Sequence, residues 1–108
     1  MDKTQRIREL NDAFRTSWLG GKVLVTRGIA TLPPELRGAV IEQVRTFSAF
    51  TPDNDPHGEH DFGAFTLDGL RVFWKIDYYA MDMMHGADDP SNDARTQRVL
   101  TIMLAEEY

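Results

Sequence analysis

Asp68-Gly69, set between two runs of alternating apolar residues, restricts this chain's fold more than any other feature. Both central positions of a type I′ turn need positive φ, which glycine adopts freely and aspartate tolerates. The turn fixes a register. Leu67 faces Leu70, Phe65 faces Val72, Gly63 faces Trp74 and Asp61 faces Ile76, giving one apolar surface on which Gly63 leaves room for the opposing indole. The other surface pairs Thr66 with Arg71, Ala64 with Phe73, Phe62 with Lys75 and His60 with Asp77. An imidazole and a carboxylate are therefore expected side by side at the open end of the hairpin.

The remaining elements follow from periodicity and caps. Ile7, Leu10, Phe14 and Trp18 form one stripe of an amphipathic helix over residues 3–18, with Gly20-Gly21 as its stop and Trp18 as a core plug. Lys22 to Arg27 reads as a short strand ended by Gly28. Pro33-Pro34-Glu35 opens a second helix, with Thr31 as a cap and with Leu36, Val40, Ile41, Val44 and Phe47 on its buried side. Ala80 to Asp89 has no readable period, and Met81, Met83 and Met84 there are candidates to continue a strand, line a pocket or cover a core edge, core filling being the commoner role. Asp89-Pro90 resembles a cap before a last helix that carries Val99, Leu100, Met103 and Leu104. The expected architecture is a single α+β domain over residues 1–108. Its order is α-β-α-β-β-α, with helices packed on a three-stranded, largely antiparallel sheet.

The 108 residues include no cysteine, which excludes disulfides, thiolate metal sites and a cysteine nucleophile. No apolar run reaches membrane-spanning length and the N-terminus lacks a signal-peptide pattern, so the expected location is the cytoplasm. The net charge of −5 is unevenly spread. Residues 1–50 hold eight Lys/Arg against five Asp/Glu, whereas residues 51–93 hold two against ten. A middle segment of one sign disfavours nucleic-acid phosphate and favours cations or a protein partner with a basic surface.

Between Thr51 and Asp61 the residues Asp53, Asn54, Asp55, His57, Glu59, His60 and Asp61 gather ligand-type and proton-transfer side chains. A calcium loop of EF-hand type fails, because His57 takes the fifth position and Ala64 the closing glutamate's place. Asp53, Asp55, His57, Glu59, His60 and Asp61 have the donor types for a divalent metal, although zinc sites usually join two separated segments and His85 is the one distant histidine. GxSxG, Walker A, GxGxxG and HExxH are all absent. His60 opposite Asp77 is the one general-base candidate, since the carboxylate would hold the imidazole tautomer. Asp53, Asp55, Glu59, Phe62, Phe73, Tyr78 and Tyr79 are the candidate contact residues for a protein partner, aromatics being favoured at contact hot spots.

LNDAFR, VTRGIATLP, TPDNDPHGEHDFG, VFWKIDYY and the terminal VLTIMLAEEY resemble the small bacterial family known as domain of unknown function 3768. The resemblance implies a soluble, mostly alphaproteobacterial protein often encoded on plasmids or other mobile elements, and it implies no reaction. The expectation for function is an acidic interaction module with no cofactor, an inhibitor of a nucleic-acid-processing or defence complex of the anti-CRISPR kind. The alternative is a divalent-metal-binding or metal-dependent hydrolytic domain built on the acidic loop.

Overall fold

The computed structural model describes residues 2–108. Helix α1 (Lys3–Ser17) starts where Asp2 accepts a hydrogen bond from the Gln5 N–H at 2.7 Å. It ends before the glycine pair: Trp18 takes the left-handed conformation, φ 63°, and its N–H closes on the Phe14 carbonyl. Gly21 already belongs to strand β1 (Gly21–Val25), where the missing side chain has a packing role. A Cβ there would lie 2.7 Å from the Phe14 ring and 2.5 Å from the Arg98 carbonyl, so glycine lets α1 approach the sheet.

Residues 26–31, expected to finish that strand and cap the next helix, instead form a four-residue helix, α2 (Arg27–Ala30). It drives Ile29 fully into the core. Thr31 closes α2 rather than opening α3 (Pro34–Arg45), whose first helical residue is Pro34 with Glu35 in the first turn. Val40 and Val44 are its buried residues, and Ile41 and Phe47 pack at their side.

Strands β2 (Phe62–Leu67) and β3 (Leu70–Tyr79) pair in the register that the Asp68-Gly69 turn dictates, from Leu67–Leu70 to Phe62–Lys75. Both turn residues have positive φ, 50° and 76°. A Cβ on Gly63 would stand 2.5 Å from Cε2 of Trp74, which confirms the space reserved for the indole.

The expected last helix is a strand, β4 (Gln97–Leu104). It runs antiparallel to β3 and parallel to β1, giving a four-stranded mixed sheet of order β1-β4-β3-β2 in place of three antiparallel strands. Arg98, Leu100 and Ile102 are buried on one face of β4, and Val99 and Met103 on the other. A strand buried on both faces reads as a continuous apolar run, which helical spacing also fits. Asp89-Pro90 caps no helix: the Asp89 carboxylate accepts from the Ser91 N–H at 3.1 Å and leads into a 3₁₀ turn at Asp93–Arg95. Met81, Met83 and Met84 are exposed rather than core-filling.

Phe14, Ile29, Val40 and Val44 from the three helices meet Val72, Trp74, Ile76, Leu100 and Ile102 in one apolar cluster. All three helices thus lie on one face of the sheet, and the opposite face is left without a helix. The result is a small α+β fold with a helical layer on a four-stranded mixed sheet.

Candidate functional site

The loop between α3 and β2 is held by its own side chains and by α1. The Thr51 N–H donates to Asn54 Oδ1 at 2.8 Å, and the Asn54 amide donates to the Ala49 carbonyl at 2.9 Å, the local capping that Asx residues provide. From α1, Arg8 donates to the Gly58 carbonyl at 3.2 Å and Asn11 to the Glu59 carbonyl at 3.0 Å. Asp55 turns inward and accepts the His60 N–H at 3.1 Å through Oδ1.

His60 does not meet Asp77. The hairpin register is as expected, but β2 begins at Phe62, and His60 takes a positive φ of 55° that removes it from strand alternation. Its ring stacks on Phe50, with centroids 3.7 Å apart and planes 4° from parallel. Phe50 in turn packs edge-on against Trp74, which places the imidazole on the helical side of the sheet. His60 Nδ1 lies 2.9 and 3.0 Å from the two carboxylate oxygens of Asp12 on α1. Its Nε2 faces Asp55 Oδ2 at 3.6 Å. Asp77 instead pairs with Lys75 at 3.0 Å on the helix-free face, and that hydrogen bond raises the Lys75 pKa. The general-base pair of His60 and Asp77 is therefore absent, and the partner of His60 is Asp12.

Three polar residues that organise this region carry no motif. Asn11 donates to the Tyr78 hydroxyl at 2.7 Å and accepts from Arg98 Nε at 2.8 Å. The Tyr78 hydroxyl donates to Glu59 at 2.8 Å, and burial, reinforced by that carboxylate, pushes the phenol pKa up. Arg98 reaches Asp93 at 3.2 Å and also the Pro90 carbonyl, tying the segment before β4 to the core. Arg15 donates to the Val44 and Phe47 carbonyls at 2.9 and 3.0 Å, closing the C-terminus of α3, and its guanidinium lies 4.9 Å from the Trp74 ring centroid. Burial lowers the pKa of both arginines against the opposing pull of Asp12 and Asp93. Their one signal in the sequence is position: Asn11 and Arg15 interrupt the apolar side of an amphipathic helix.

The remaining candidates are dispersed. Asp53 and His57 are exposed, and Asp61 is half-buried with its carboxyl pKa raised by desolvation and by Glu59 nearby. Among the described residues, no three His, Asp or Glu side chains converge as a finished cation cage. The contact candidates divide between two faces of the sheet. Tyr78 points to the helical side, whereas Phe62, Phe73 and Tyr79 alternate onto the helix-free side. There Phe62 and Phe73 pack edge-to-face at 5.4 Å, and the C-terminal Tyr108 joins them at 6.4 and 5.7 Å. The ten acids of residues 51–93 do not form one bare face. Asp55 is buried, Glu59 holds Tyr78, Asp77 pairs with Lys75, Asp89 with Lys3 and Asp93 with Arg98.

A shallow pocket of about 390 Å³ opens beside the loop, lined among others by Phe50, Asp55, His57 and His60. No helix among the described residues is long and apolar enough to cross a membrane. Fold and loop together define a small α+β protein with a helix-clamped acidic loop and a helix-free, half-buried aromatic sheet face. The chain belongs to the family described as protein of unknown function DUF3768, whose model matches residues 25–107. No curated protein and no solved structure shows significant similarity to it.

Proposed function

We propose that this protein is a protein-interaction module whose contact surface is the helix-free face of the sheet. The observation that supports this reading is the apolar surface left on that face: the Phe62–Phe73–Tyr108 cluster and Leu24, with Tyr108 75% and Leu24 52% exposed. Aromatic side chains in such a setting supply contact area at low conformational cost, and clustered apolar surface on a small protein marks interaction sites. Lys22, Arg71 and Lys75 stand on or beside this face, while Asp53, in the loop before β2, and Asp88, in the loop after β3, are exposed and make no ion pair among the described residues. A partner binding the sheet face would thus bring its own apolar patch, and one reaching the loops would add a basic rim.

Inhibition of a nucleic-acid-processing or defence complex is the concrete form of this proposal. Its test is co-elution of the purified protein with such complexes in size-exclusion chromatography, repeated with Leu24→Glu and Tyr108→Ala, which alter exposed residues. Loss of co-elution in variants that keep wild-type circular dichroism is the expected result. Absence of a partner across the complexes, or binding that both variants leave intact, refutes it.

A further inference from the structure

We infer that His60 and Asp55 form the preset half of a divalent-cation site of zinc-like preference, completed by His57 from the wall of the same pocket. The geometry that carries this is an imidazole nitrogen and a carboxylate oxygen that face each other at ion-pair rather than hydrogen-bond distance, a contact that a cation would replace. Asp12 occupies Nδ1 of His60, and because a carboxylate only accepts, the ring proton of a neutral imidazole sits on Nδ1 and the lone pair on Nε2. Asp55 Oδ1 is taken by the His60 N–H, while Oδ2 makes no hydrogen bond among the described residues.

Nε2 and Oδ2 lie 3.6 Å apart, too far for a hydrogen bond. Two donors each about 2.1 Å from a tetrahedral ion stand roughly 3.4 Å apart, so the gap is close to the span that such an ion bridges. The Asp55 side chain is only 6% exposed, so this carboxylate is held inward rather than being one of the solvated acids of the surface.

The surroundings have the parts that tune a metal histidine. A ligating imidazole commonly donates its other N–H to a carboxylate, which fixes the tautomer and raises ligand basicity; Asp12 does this here. Phe50 stacked on the ring fixes its plane. His57 is exposed and lines the same pocket, and in the proposed site it takes the third position after a side-chain rotation, with water in the last. Imidazole nitrogen with one carboxylate oxygen suits zinc and its neighbours better than calcium or magnesium, which prefer all-oxygen sites. This site is separate from the sheet face, so the interaction proposal and this one fail independently.

The experiment is titration of chelator-treated protein with Zn²⁺ by calorimetry and thermal melts, and with Co²⁺ by visible absorption. A single saturable site, a rise in melting temperature with ion concentration and the visible band of tetrahedral cobalt are expected. His57→Ala and Asp55→Asn should weaken binding by about tenfold or more, and Asp12→Asn by roughly 10–100-fold although it touches no ion. His85→Ala should change nothing, since the His85–Asp82 pair lies on another loop. Each variant is first matched to wild type by circular dichroism without metal; His57, being exposed, keeps the test valid should a buried variant unfold. No band and no thermal shift at millimolar ion overturns the inference. Binding that survives both His57→Ala and Asp55→Asn, or disappears in His85→Ala, overturns it equally.

Discussion

At the scale of single residues, carboxylates in this protein act as local ties, and two of them make testable claims. Asp12 holds His60 across 48 positions of sequence, whereas Asp77 holds Lys75. In double-mutant cycles His60→Ala and Asp12→Ala should be non-additive by about 0.5–3 kcal/mol, and His60→Ala with Asp77→Ala should add within about 0.5 kcal/mol. Chemical denaturation of the three single and two double variants decides it, and coupling to Asp77 would restore the hairpin-end pair. Glu107 is the second case. Its carboxylate accepts from the Thr26 hydroxyl at 2.5 Å, the Leu104 N–H at 2.9 Å and the Gly28 N–H at 2.9 Å, and those bonds hold its pKa below the usual glutamate range. A depressed folded-state pKa gives stability that is present above the unfolded value and lost as pH falls through the folded value. Glu107→Gln should therefore be less stable than wild type near neutral pH, and the difference should close in acid. A gap independent of pH in urea titrations would show that the contact is steric, not ionic.

Among the elements, the hairpin is the most tightly specified. Gly63 lies under Trp74, which is fully buried, and the indole is too rigid to give way. Gly63→Ala should cost about 1–3 kcal/mol, the range for overpacking a filled core, and Trp74→Phe should cost less in the Gly63→Ala background than alone. Equal cost in both backgrounds, measured by denaturant melts, would mean that the strand shifts to relieve the clash. The hairpin was legible in the sequence because its turn chemistry and its alternation are both local. What escaped the sequence reading depends on distant partners. β4 has no alternation because helices bury one face and the sheet's other side chains crowd the second, leaving Val99 5% and Met103 3% exposed. α2 is shorter than a helical period can reveal, and Gly21 reads as a helix stop although its role is to admit the Phe14 ring. The candidate site was half legible for the same reason. The loop residues are adjacent in sequence, but the residues that orient them, Arg8, Asn11 and Asp12, come from α1, and a strand that starts at Phe62, with His60 at positive φ before it, sends the imidazole to the other side.

For the whole molecule, α1 and β1 are the parts on which the rest closes, although the family match begins only at residue 25. Residues before that point supply Phe14 to the apolar cluster, Arg15 to the end of α3, Asn11 to Tyr78 and Arg98, Asp12 to His60, and an edge strand parallel to β4. Removing them would open one side of β4, leave the α3 carbonyls without their cap and unpair the buried Arg98 guanidinium from Asn11. Breaking a buried polar network by deleting one partner costs more than the network's own net contribution, because the remaining groups stay desolvated and unpaired. A chain that starts at residue 25 should therefore keep the local hairpin signal but lose cooperative unfolding. The expected observations are a broad thermal transition and binding of a hydrophobic dye, the marks of secondary structure without fixed packing. Adding a peptide of residues 2–24 should restore a sharp transition in a concentration-dependent way, since binding to the folded form alone stabilises it by mass action. A shortened chain that melts as sharply as the full one would show that β2, β3, β4 and α3 close a core without α1, and Asn11, Asp12 and Arg15 would then only orient the loop rather than hold the fold.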